Sequence, residues 1–134
     1  MRLALLMIVA CALLAGCGGG EPESATSTCP AAQRELAEAP ALPPGFPSPS
    51  EVTYTRNLQA GPAQIVSGYW LGDIDEAFEG YKDAFTESGY EITKEEQESV
   101  DAEVNFAGRD VSGQVKLLQT CSNRTDVSIT VRPA

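Results

Sequence analysis

The 134-residue chain has no histidine, and only 9 basic residues stand against 19 acidic ones. Without histidine the commonest general base is missing, and so is the usual imidazole ligand of zinc. No Gly-x-Ser-x-Gly nucleophile elbow is present. Gly18-Gly19-Gly20 follows no strand, so it is not a phosphate loop. No motif calls for a cofactor. The shortage of positive charge leaves a net −10 at pH 7, a surface that repels nucleic acid and anionic headgroups. Electrostatic partners of such a surface are basic groups or a divalent cation. Beyond residue 15 no ten consecutive residues are apolar, whereas a membrane-crossing helix needs roughly 20.

What is present begins at the N-terminus. Arg2 supplies a minimal positive region, and residues 3–15 form a nearly unbroken apolar segment of secretory-signal length. Ala15 and Gly16 then place small side chains immediately before Cys17, as a signal peptidase requires. On these features alone the segment is a secretory signal followed by a cysteine.

Leu14-Ala15-Gly16-Cys17 resembles the lipobox of bacterial lipoproteins. The resemblance implies a diacylglyceryl group on the Cys17 sulfur, cleavage before it, and Cys17 as the mature N-terminus. Two or three acyl chains hold a protein on a bilayer almost permanently, at about 0.8 kcal/mol per buried methylene. The implied location is the cell membrane or outer membrane, lipid-anchored and facing the extracytoplasmic side. The implied partners are the lipid bilayer, through acylated Cys17, and an envelope protein or wall component, with no nucleic acid.

Removing residues 1–16 leaves 118 residues, with 8 basic and 19 acidic side chains. That is one domain and a tether. Of the four cysteines, Cys11 leaves with the signal and Cys17 takes lipid, so Cys29 and Cys121 remain. In an exported chain such a pair reads as a disulfide, the alternatives being two free thiols or a metal site. Closing so long a loop stabilises by somewhat over ~4 kcal/mol in the chain-entropy model.

Residues 17–28 read as a flexible tether spanning roughly 17–20 Å. Residues 29–50 comprise a short helix over 30–38, rich in Ala, Glu and Leu with Pro30 in its first turn, and a Pro-rich arm over 40–50. The arm lacks too many backbone donors for a ladder. It is either a ligand for an aromatic-lined groove or, as we prefer, an arm packed across the domain with Leu42 and Phe46 as plugs. Residues 51–134 form the folded domain. Alternation over 51–57 and 64–71 predicts a hairpin. A D-x-x-E capping box at Asp73 and Glu76, the spacing of Ile74, Ala77, Phe78, Tyr81 and Phe85, and a terminal Gly89 predict a helix over 73–88. Four strands follow, over 90–96, 102–107, 111–119 and 127–132.

The expected fold is α+β: an antiparallel sheet of five to six strands on one main helix, in the order ββαββββ. In layout, including the AFEGYKDAFTESGYEI segment running from helix into strand, residues 42–132 resemble small envelope lipoprotein domains. That likeness carries no functional residue.

Candidate chemistry is sparse. Glu91, Glu95, Glu96, Glu98, Asp101 and Glu103 form an acidic cluster, readable as a hydrolytic carboxylate pair, as weak calcium ligands or, as we prefer, as a solvated strand face and hairpin tip. Asp73 and Asp75 need only a capping role, and Asn123-Arg124-Thr125 reads as a turn. Tyr69 and Trp70 face opposite ways on one strand, so one of them is a candidate binding surface beside an acidic rim. The expected activity is therefore non-enzymatic: an accessory or binding module of the cell envelope. The alternatives are a carboxylate-dependent hydrolase of wall polysaccharide and a divalent-cation or small-ligand binder.

Overall fold

The computed structural model describes residues 28–134. The signal, Cys11, Cys17 and the tether up to residue 27 lie outside the described residues. The elements are β1 (Val52–Ala60), β2 (Ala63–Trp70), α1 (Ile74–Glu87), β3 (Glu91–Gln97), β4 (Asp101–Gly108), β5 (Val111–Cys121) and β6 (Arg124–Pro133). All six strands join one antiparallel sheet in the order β1-β2-β6-β5-β4-β3. After the first hairpin α1 crosses the sheet to the far edge, and the β3–β6 meander returns until β6 pairs with β2.

The local chemistry accounts for the element ends. Asp73 caps α1, its Oδ1 accepting the Glu76 N–H at 2.9 Å. Gly89, at φ 77°, ends it with paired bonds from Gly89 N–H to Thr86 and Tyr90 N–H to Phe85. The first hairpin closes on Gly61-Pro62, with Ala60 opposite Ala63, so β1 runs beyond the alternation that announced it. Arg109 and Asp110 both take positive φ in the two-residue turn between Gly108 and Val111, which matches the twist of the flanking strands.

The helix expected over 30–38 is absent: residues 29–36 run without helix or strand. A helix of nine residues is marginal by itself, and here tertiary bonds claim the backbone. Cys29 is joined to Cys121, the Pro30 carbonyl accepts from Arg124 Nη1 at 2.8 Å, and the Leu36 N–H donates to the Tyr54 carbonyl at 2.8 Å.

The core lies between the sheet and α1. Alternate strand residues Val66 and Trp70, Ala102, Val104 and Phe106, Val115 and Leu117, and Val127, Ile129 and Val131 are buried on the helix side. From α1, Ile74, Ala77, Phe78, Tyr81 and Phe85 meet them. The helix lies over β3, β4, β5 and β6, and the Pro-rich arm fills much of what remains. Phe46 is buried edge-on against Phe85 and Phe106, each at 5.4 Å, while Phe85 stacks on Phe106 at 4.3 Å. Leu36 and Leu42 pack against the same cluster, and Ser48 Oγ lies 2.9 Å from the Tyr54 hydroxyl.

Burial raises the pKa of three phenols above its ordinary value. For Tyr81, which is fully buried, burial is reinforced by Tyr54; for Tyr54 it is opposed by the Ser48 bond, and for Tyr90 by Arg109. A folded-state pKa above the unfolded one contributes stability that is whole below the unfolded value and is lost as pH rises past it. Thermal midpoints should therefore fall above about pH 10, and in a Tyr69→Phe variant, which keeps only the three buried phenols, tyrosinate absorbance should appear together with unfolding; tyrosinate forming in that variant while it is still folded would contradict this. Phe46→Ala should cost about 3–5 kcal/mol in urea denaturation, because it empties the centre of the aromatic cluster.

Candidate functional site

Among the described residues, α1 and the Pro-rich arm cover one face of the sheet. On the other, strand register sets two neighbouring rows side by side. Ser67, Ser128, Lys116 and Glu103 are successive partners across β2, β6, β5 and β4, and Tyr69, Asp126, Leu118 and Asp101 form the next row. With strands about 4.8 Å apart, four of them make a floor roughly 14 Å across. A concavity of about 630 Å³ lies here, with Thr55 at one end and Pro30, Ala31 and Gln33 of the N-terminal segment as a wall. That size suits a small ligand or a short extended segment.

Each wall has an identifiable cause. Ser67 and Ser128 are small, and the larger Tyr69 and Leu118 flank them; Leu118 is 48% exposed. The strap over 29–36 is held at one end by the Cys29–Cys121 disulfide and at the other by the Leu36–Tyr54 backbone bond. Between them Arg124 Nη1 holds the Pro30 carbonyl. Arg124 is 8% exposed and lies over the Tyr69 ring at 5.8 Å. Its Nε makes no protein hydrogen bond: the nearest carboxylate oxygen, Asp126 Oδ1, is 3.9 Å away, an ion-pair distance too long for one. Arg124 therefore ties strap, aromatic ring and β6 together.

The sequence candidates separate. Tyr69 is half-buried and lines the concavity, whereas Trp70 is 6% exposed on the helix side, against Tyr81 and over Gly80. The acidic cluster divides between the faces. Glu95 turns to the helix side and pairs with Lys82 at 3.3 Å, Glu96 pairs with Lys94 at 3.0 Å, and Glu103 pairs with Lys116 at 3.7 Å. Glu98 lies in the turn between β3 and β4, and Glu91 is exposed on the edge strand. The hydrogen bond from Asn105, at 2.7 Å, holds Glu103 below the ordinary carboxylate range, helped by Gln114, Lys116 and Lys94 and opposed by burial. A general acid requires the opposite shift. Among the described residues no three Cys, Asp or Glu side chains converge as metal ligands, and no helix is long and apolar enough to cross a membrane. Asp73 caps α1, and Asp75 accepts from Gln97 at 2.7 Å.

Arg124 is a site residue that no sequence pattern singles out. It looked like turn material beside Asn123, but the turn is confined to Ser122-Asn123, and Arg124 already pairs with Cys121 as the first residue of β6. Its one sequence signal is proximity to Cys121. No protein-family model matches the chain, and neither the curated proteins nor the solved structures hold a match to it.

Arg124→Ala should destabilise by about 1–3 kcal/mol through lost packing on Tyr69 and the lost bond to Pro30. Asp126→Ala, which removes a half-exposed partner at 3.9 Å, should cost under about 1 kcal/mol. Urea titrations of the two variants check the order.

Proposed function

We propose that the protein is a lipid-anchored, extracytoplasmic, non-enzymatic module that binds an envelope protein or wall component through the open face of its sheet. The observation that carries the binding part is the concavity itself: a face opposite to α1 with Tyr69 half-exposed, small hydroxyl side chains on its floor and a strap as wall. The address rests on the likeness of Leu14-Ala15-Gly16-Cys17 to a lipobox. It gains support from the Cys29–Cys121 bridge, since structural disulfides belong to oxidising compartments. Pairing of Glu95, Glu96 and Glu103 with lysines, and the lowered pKa of Glu103, favour binding over carboxylate-driven hydrolysis.

The bridge also bears on how the domain is carried. It fixes the folded part at Cys29, twelve residues after Cys17. The concavity, which that segment borders, therefore stays close to the anchored end.

Intact-mass analysis of the native product should find a chain starting at Cys17 with added acyl chains, and Cys17→Ser should move the protein from the membrane to the soluble fraction. An unprocessed, unacylated native chain in the soluble fraction would overturn the address. Crosslinking from membranes should capture the same partner repeatedly, and Tyr69→Ala or Ser128→Arg should reduce capture about tenfold, as loss of a central aromatic contact does. Unchanged capture by both variants would remove the concavity from the proposal.

A further inference from the structure

The strap that walls the concavity is attached unlike the rest of the N-terminal arm. Residues 29–35 are all exposed, and from Leu36 onward the arm enters the domain at intervals, through Leu36, Leu42 and Phe46. Leu36 donates its N–H to Tyr54, Leu42 packs on the core and Phe46 is buried among Phe85, Tyr90 and Phe106. Those later anchors owe nothing to a covalent bond. Residues 29–35 are tied to the domain by the disulfide and by the bond from Arg124 to the Pro30 carbonyl. The two sulfurs also differ in setting: Cys29 is exposed, while Cys121 is fully buried at the end of β5.

We infer that the Cys29–Cys121 bridge is a thiol-sensitive latch on the concavity, whose reduction frees residues 29–35 and leaves residues 36–134 folded. A dithiol supplies the electrons. One of its thiolates attacks Cys29 Sγ, the S–S bond breaks, and Cys121 leaves as a thiolate that takes a proton. The second thiolate then closes on the first sulfur of the dithiol and releases Cys29 as a thiol, so that one dithiol is oxidised as one disulfide is reduced.

Two consequences follow from the geometry. The concavity loses Pro30, Ala31 and Gln33, and the Arg124 guanidinium gives up its backbone acceptor beside Tyr69, ready for a carbonyl or carboxylate oxygen from outside. The first packed residue also moves from Cys29 to Leu36, which adds seven residues of free chain ahead of the domain. The first consequence rests on reading the concavity as a ligand seat; the latch does not.

Limited trypsin digestion separates the two. Arg34 lies inside the strap, between anchors at 29 and 36 that are too close to let a protease draw the chain out, whereas Lys94 and Lys116 lie in β3 and β5. In the full chain, dithiothreitol should speed cleavage after Arg34 about tenfold or more, because proteolysis follows the population of the opened segment. Cleavage after Lys94 and Lys116 should stay slow. Cys29→Ser should behave as the reduced protein without any reductant.

Unchanged cleavage after Arg34 in both the reduced protein and Cys29→Ser would show a strap that holds itself and would overturn the latch. Acceleration at all three sites together would show that the bridge keeps the whole domain folded, and would overturn it equally. A bridge that survives dithiothreitol under native conditions would overturn its thiol sensitivity even if Cys29→Ser frees the strap. Partner capture by Tyr69→Ala fails or succeeds independently of all three.

Discussion

Six strands about 4.8 Å apart make a sheet roughly 24 Å wide, while a helix with its side chains is about 10–12 Å across. One helix cannot cover one face of such a sheet, and the fold is arranged around that shortfall. Helix α1 takes the β3–β6 side, and the Pro-rich arm with the end of the strap completes the layer, Phe46 seated in the aromatic cluster and Leu36 and Leu42 on its margin. Proline suits this duty. An arm with few backbone donors leaves few unmet when it crosses an apolar surface, and its restricted φ lowers the entropy cost of holding it there. The arm thus belongs to the core as much as any strand does.

The same arm links core to surface. Upstream of Leu36 it passes from the covered face to the open one, where Arg124 and the disulfide receive it. The sheet therefore has an apolar face closed by two chain segments and a polar face bordered by a third. On the polar face Lys116 pairs with Glu103 and Lys94 with Glu96, which keeps that part of the surface hydrated. Each edge strand carries a register shift, between Tyr54 and Arg56 in β1 and between Ile92 and Lys94 in β3. Bulges and charges at an edge discourage pairing with other chains, so the edges are guarded while the broad open face is where the proposed binding is placed.

Much of the fold was legible from residue patterns because the information is local. The Asp73–Glu76 capping box, the apolar stripe and Gly89 mark α1 without reference to anything distant, and period-two alternation marks β4, β5 and β6 in the same way. Residues 30–38 show where this fails. Their helix propensity is real, but it is worth tenths of a kcal/mol per residue, less than a covalent bridge and two hydrogen bonds that reach across the sheet. The candidate site was half legible: alternation said that Tyr69 and Trp70 diverge, but not which faces outward. That depends on which side α1 packs against, a fact carried by residues far along the chain.

Sequence alone determined the likeness of residues 14–17 to a lipobox, the reading of Cys29 and Cys121 as a pair, the strand and helix periods and the acidic balance, because each depends on residue type, number and spacing and on no knowledge of which distant residues meet. Only the tertiary structure decided that the N-terminal segment is a strap and not a helix, that Trp70 is core and Tyr69 surface, and that Arg124 joins strap, ring and strand. Those outcomes turn on contacts between residues as many as 94 positions apart, and no local pattern encodes which distant group will be there to meet a side chain.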